Sequence, residues 1–324
     1  EDFYQLAAFF GPLKRKGQGI SAPISGEAEY VWFSPTKDRD VRHPVTNEVM
    51  HPKAPDAPAE KLDPENDPRE ALAAWISRPD NPFFARAIVN RVWGDLMGRG
   101  IVHPVDDFRA SNPPTNEALL DALANDFVAH KYDLKHLIRT IMRSNVYQLS
   151  SLPNEHNARD TKNFSRFYRK RPPAEVSLDA ICDVTGVPES LQGLAPGDRA
   201  VRVWNNRLDS DFLDAFGRPN ASADPPCERE RDSSVVQALH LMNSTRLMGK
   251  IANEKGRAAR LAASDKTPGQ IVEELYLAAY SRLPTEEEMS IATGAFKAEG
   301  ATRKTATEDI LWALLNSAEF VFNH

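Results

Sequence analysis

Between residues 67 and 142, apolar side chains recur in four runs at the spacing of an α-helix, and a helix-starting signal stands before three of them. Asp67-Pro68 offers a capping carboxylate and a proline at the first helical position, ahead of Ala71, Leu72, Trp75 and Ile76. Asn81-Pro82 repeats the signal before Phe84, Ile88, Val92 and Leu96, which recur every four residues, and Gly98 marks the stop. Thr115 stands as the cap before Leu119, Leu120, Leu123 and Phe127. Leu134, Leu137, Ile138, Ile141 and Met142 complete the set as an i, i+3, i+4, i+7, i+8 stripe. Each such helix must bury one face against another, so the region commits the chain to a mainly α fold, a multi-helix orthogonal bundle.

The residues around this block divide the chain into three parts: 1–20, 21–66 and 67–324. EDFYQLAAFF reads as the end of a helix that starts further upstream, which makes the chain the trimmed part of something longer. In 21–66, EAEYVWF (27–33) is aromatic and β-branched and reads as a strand. VRHPVTNEVMHP (41–52) reads as a hairpin turning at Thr46-Asn47-Glu48, with Pro44 and Pro52 holding it at a sheet edge. Nine prolines between Pro35 and Pro82 make this a small β-hairpin module with long Pro-rich loops. Further on, helices are expected at 174–184, near 211–216, over 233–242 and 244–253 as two helices or one with a kink, after Thr267-Pro268, after Pro284, and at 307–322. A short strand is expected at 201–204, and residues 150–173 read as an exposed connection.

With 40 Lys and Arg against 46 Asp and Glu, the net charge of -6 argues against nucleic acid as the main partner. The basic runs Lys14-Arg15-Lys16 and Arg166 to Arg171 read as a solvated helix face or a mobile loop. No stretch approaches 18 consecutive apolar residues, so no membrane span is expected. Cys182 and Cys227, the only cysteines, match no zinc or haem pattern and are either buried thiols or one disulfide.

The chemistry-bearing residues fall in two loops. The first, GRGIVHPVDDFRASNPP (98–114), carries His103, Asp106, Asp107, Arg109 and Asn112 between glycines and prolines. It reads as a binding or catalytic loop, or as a rigid corner in which Asn112 or Asp107 caps backbone groups and Arg109 pairs with Asp106. The second, FGRPNASADPPCERERD (216–232), carries Arg218, Glu228 and Arg229, whose guanidinium forks suit a carboxylate, sulfate or phosphate. The acidic pair after Pro104 and the arginines around Cys227 are expected to meet and neutralise one another. His43, His51 and His103 form no helical ligand pair, and Asp106-Asp107 lacks the spaced ladder of a calcium loop, so no metal is expected. No G-x-S-x-G or serine or cysteine with an obvious base appears.

NPFFARAIVNRVWGDLMGRGIVHPVDDFRASNPPTNEALLDALANDF, with DLKHLIRTIMRSNVYQLSS, FGRP…CERERDSSVVQALHLMNS and LPTEEE…DILWALLNSAEFVFNH, resembles the planctomycete-type domain of unknown function that follows planctomycete cytochrome c domains. EDFYQLAAFF looks like the tail of the second cytochrome-associated domain, which would make 1–20 the end of a preceding helical domain. The resemblance implies a large exported protein, periplasmic or at the cell surface, that carries haem c on an N-terminal domain outside this chain and no cofactor within it. It implies a sulfatase-fold protein as a neighbour, and export favours a Cys182–Cys227 bridge. Arg91, Asp106, Asp107, Arg109, Asp133, Arg218, Glu228 and Arg229 match the family blocks as a shared site or a shared network that holds the fold. The function that follows is a non-enzymatic interaction module docking a haem domain, a partner protein or a polysaccharide. The alternatives are a hydrolase or binding protein for sulfated or acidic polysaccharide, using Asp106 or Asp107 with Glu228, and a structural component of an extracellular filament or lattice.

Overall fold

The computed structural model describes residues 1–16, 30–34, 40–55, 57–58, 65–195, 197–203, 208–219, 229 and 235–323. It divides into two compact units, Glu1–Tyr168 and Arg169–His324, so the boundary falls inside the stretch 67–324.

The first unit opens with helix α1 (Asp2–Ala8) and two antiparallel strand pairs. Strand β1 (Leu13–Lys16) pairs with β2 (Tyr30–Phe33), so the basic run at 14–16 is an edge strand and not a helix face. Strands β3 (Val41–Arg42) and β4 (Val49–Met50) form the expected hairpin, and its turn places Asn47 at φ 59°, a conformation asparagine tolerates.

Four helices follow: α2 (Pro68–Ile76), α3 (Phe84–Met97), α4 (Glu117–Ala129) and α5 (Leu134–Met142). Asp67 caps α2 through the Arg69 N–H, and Asn81 accepts from the N–H groups of Phe83 and Phe84 ahead of α3. Gly98 closes α3 at φ 80°, donating to the Gly94 carbonyl. Thr115 does not cap α4. Asn116 does, accepting from Leu119, while both the N–H and the hydroxyl of Thr115 reach back to the Ile101 carbonyl.

The buried face of α3 lies one residue beyond the expected one. Ala85, Val89, Trp93 and Met97 are buried, and Ile88, Val92 and Leu96 flank them. Both series repeat every four residues, and the one that carries the large Trp93 and Met97 faces the core. On α5 only Leu137 and Ile141 are buried; Leu134, Ile138 and Met142 stay exposed.

The connection 150–168 is not a free loop. Phe164 and Phe167 enter the core of the first unit. Burial opposes charge on Asp160, but its carboxylate accepts from the backbone of Lys162, Asn163 and Ser165 and from the Ser165 and Tyr168 hydroxyls, which hold it well below the usual carboxylate range.

The second unit packs α6 (Ala174–Thr185), α7 (Asp211–Ala215), α8 (Val235–Asn243), α9 (Thr245–Ile251), α10 (Arg257–Ala262), α11 (Pro268–Tyr280), α12 (Glu286–Gly294), α13 (Arg303–Leu315) and α14 (Ala318–Val321) around Leu178, Ile181, Leu213, Ile251, Ile271, Leu275 and Leu311. Ser244 accepts from Leu247 and so separates α8 from α9. Thr267 with Gln270, and Thr285 with Glu288, form reciprocal capping boxes on α11 and α12. Ala200–Arg202 is a 3-10 turn where a strand was expected, and Trp204 lies outside the described residues. The basic run at 166–171 is engaged: Arg171 donates to the Phe216 carbonyl and lies over its ring, and Lys170 bridges to Asn323.

Candidate functional site

The corner between α3 and α4 is built from inside the helix. Asn90 is fully buried among the apolar residues of α3. Its amide donates to the carbonyls of Val102 (2.9 Å) and Val105 (2.7 Å), and its oxygen accepts from the Val102 N–H (2.9 Å). One side chain thus satisfies three backbone groups of a loop that folds back on its own helix. The loop passes so close that a Cβ on Gly100 would lie 2.2 Å from the Val102 oxygen, and one on Gly94 would lie 2.8 Å from a Val105 methyl. Asn112 then donates to the carbonyls of Asp107 (2.8 Å) and His103 (3.3 Å), closing the outer turn. His103 joins to Pro104 through a cis peptide.

Both carboxylates of the corner are gripped two-handed. Arg91, one position beyond Asn90, donates from Nε (2.8 Å) and Nη2 (2.7 Å) to Asp106. Arg109 donates from Nε and Nη2, each at 2.6 Å, to Asp107. Those hydrogen bonds hold the Asp107 carboxyl below its ordinary range. Arg109 therefore takes Asp107, not Asp106, and the two aspartates have separate partners.

The two arginines described in the second loop have partners of their own. Arg218 donates to Asp214 (2.6 Å), and Arg229 to Glu175 (2.7 Å), both carboxylates belonging to the second unit. Asp214 lies one turn of chain before Arg218, whereas Glu175 comes to Arg229 from the first turn of α6. Arg218 is 7% exposed, and its Nη1 has no partner among the described residues. Glu228 and Cys227 lie outside the described residues. Cys182 is a free thiol whose pKa burial pushes up, beside Lys250, which donates to the carbonyls of Val187 and Pro188. Asp133 serves as the cap of α5, accepting from Lys135 and His136.

A family model described as PSD1, protein of unknown function (DUF1553), matches residues 68–296. The chain belongs to the PSD1 family. No curated protein and no solved structure is significantly similar to it. The PSD1 match starts at the first residue of α2 and takes in the corner, both arginine loops and the helices through α12.

A second cluster in the PSD1 region escaped the sequence reading. Asp126 in the last turn of α4, His130 just after it and His136 in α5 place their ligand atoms within 4.8 Å of one another. Asp126 and His130 stand four residues apart, a spacing visible in the sequence. The approach of His136 depends on the turn between the helices.

Proposed function

We propose that this chain is a non-enzymatic interaction module of an exported, cytochrome c-linked protein, and that it docks the haem domain of the same precursor. The observation that carries this reading is the bidentate pairing of both acids in the corner, Asp106 with Arg91 and Asp107 with Arg109. A general acid needs a carboxyl that holds its proton near neutral pH, and a guanidinium clamp drives Asp107 the other way. The same pairing occupies the arginine forks that would otherwise grip an anionic sugar. In the same unit, Leu134, Ile138 and Met142 line α5 at i, i+4 and i+8 with 49%, 37% and 44% of their surfaces exposed, an apolar stripe suited to a partner protein.

Titrating this chain with the separately produced c-type cytochrome domain, followed by calorimetry, tests the proposal. Association in the micromolar range, weakened by Ile138→Asp, is the expected result. Failure to associate at high micromolar concentration overturns the reading.

A further inference from the structure

We infer that Asp126, His130 and His136 form a binding site for a divalent transition-metal ion of the zinc class, with water completing its coordination. The site is assembled by a rigid turn. Lys131 and Tyr132 both adopt left-handed backbone (φ 55° and 60°), and the N–H of Tyr132 is bonded to the Phe127 carbonyl. The Tyr132 ring packs edge-on against Phe127 and Phe84, and its hydroxyl donates to the Ser77 carbonyl. Asp133 then caps α5 through the His136 N–H, so the backbone of His136 is fixed directly across from His130.

The donor atoms are those this class of ion prefers, two imidazole nitrogens and a carboxylate oxygen. His136 Nε2 lies 2.8 Å from Asp126 Oδ2, and His130 Nδ1 lies 3.2 Å from Asp126 Oδ1. Two donors on a tetrahedral ion with bonds of about 2.0–2.1 Å stand roughly 3.3 Å apart, so both pairs lie within about half an ångström of the spacing for shared ligation. His130 Nδ1 also lies 2.9 Å from the main-chain oxygen of Asp126. Ligation through Nδ1 replaces that hydrogen bond, and the ring proton then sits on Nε2. Asp126, His130 and His136 are 35%, 48% and 27% exposed, which leaves a path for the ion and room for water.

One adjustment is required. The two imidazoles stack at 3.6 Å with planes 16° apart, and lone pairs lying in parallel planes do not converge on one point. The more exposed ring, His130, must tilt out of the stack, so metal binding is expected to abolish the stacking.

The test is Zn2+ titration of the untagged full chain by calorimetry, with Co2+ absorption as the coordination readout. One ion per chain is expected, weakened roughly tenfold or more by His130→Ala, Asp126→Asn or His136→Gln. His156→Ala, at an exposed histidine beside Glu155, leaves binding unchanged. Circular dichroism melts confirm that each variant is folded, and Asp126→Asn, which keeps the shape of the side chain, stands in where a histidine variant is not. No uptake at metal concentrations on the order of millimolar, or uptake unaltered by the three site variants, overturns the inference.

Discussion

Asn90 decides the shape of the corner. A polar amide in the middle of an apolar stripe is tolerated because both of its N–H donors and its oxygen meet backbone groups of the loop. Asn90→Ala leaves two carbonyls and one N–H of that loop without partners, and the first unit is expected to lose about 3 kcal/mol, read from urea unfolding. Gly100→Ala is expected to be at least as damaging, because its new methyl would sit against the Val102 oxygen. At this scale the sequence is readable in kind but not in pairing. The glycines and prolines announce a stiff corner, and Asn112 bonds to neighbouring backbone as its position suggests. The partners of Asp106 and Asp107 are not readable, because Arg91 reaches the corner from the preceding helix and only the folded chain brings that helix alongside. The histidine cluster is half readable: Asp126 and His130 share a helix face, but His136 arrives through a left-handed turn that no local pattern announces.

Helix periodicity locates the elements well and their faces less well. Caps at Asp67, Asn81 and Thr267 mark helix starts to within two or three residues, because a cap is a local hydrogen bond. Which stripe is buried depends on the neighbouring helices, and α5 shows the consequence. Leu137→Ala, at a fully buried position, is expected to cost roughly 2–5 kcal/mol, whereas Ile138→Ser on the adjacent open face changes stability by about 0.5 kcal/mol or less. Equilibrium unfolding of both variants checks the assignment. On the other unit, Arg282 holds Glu288 of α12 and Glu319 of α14 through four hydrogen bonds of 2.7–2.8 Å. Hydrogen bonds from Arg282, then from Thr285, bring the Glu288 carboxyl from an ordinary 4.5 down to about 2. A depressed carboxyl stabilises the fold fully above about 4.5, and this stabilisation disappears as pH falls through about 2. Glu288→Gln preserves the capping box, since glutamine serves there too. The stability gap between the wild type and this variant is therefore expected to be widest at pH 6 and to close toward pH 2, as measured by denaturation across that range.

Over the whole molecule, the mainly helical architecture with its small β-hairpins follows from capping and periodicity. The division into two units does not, because residues 150–168 look like a polar tether until Phe164 and Phe167 are seen to belong to the first core. Each unit has its own apolar centre, so fragments 1–168 and 169–324 are each expected to unfold cooperatively when produced alone, as seen by calorimetry. A fragment 169–324 without a sharp transition would contradict that independence. The second unit has one more property. Asn323 and Lys170 exchange backbone hydrogen bonds of 2.8 and 3.3 Å, so the two ends of this unit lie side by side. A body whose entrance and exit coincide can be spliced into a surface loop of an unrelated host, or re-cut to begin elsewhere with its old ends fused, without pulling either carrier apart.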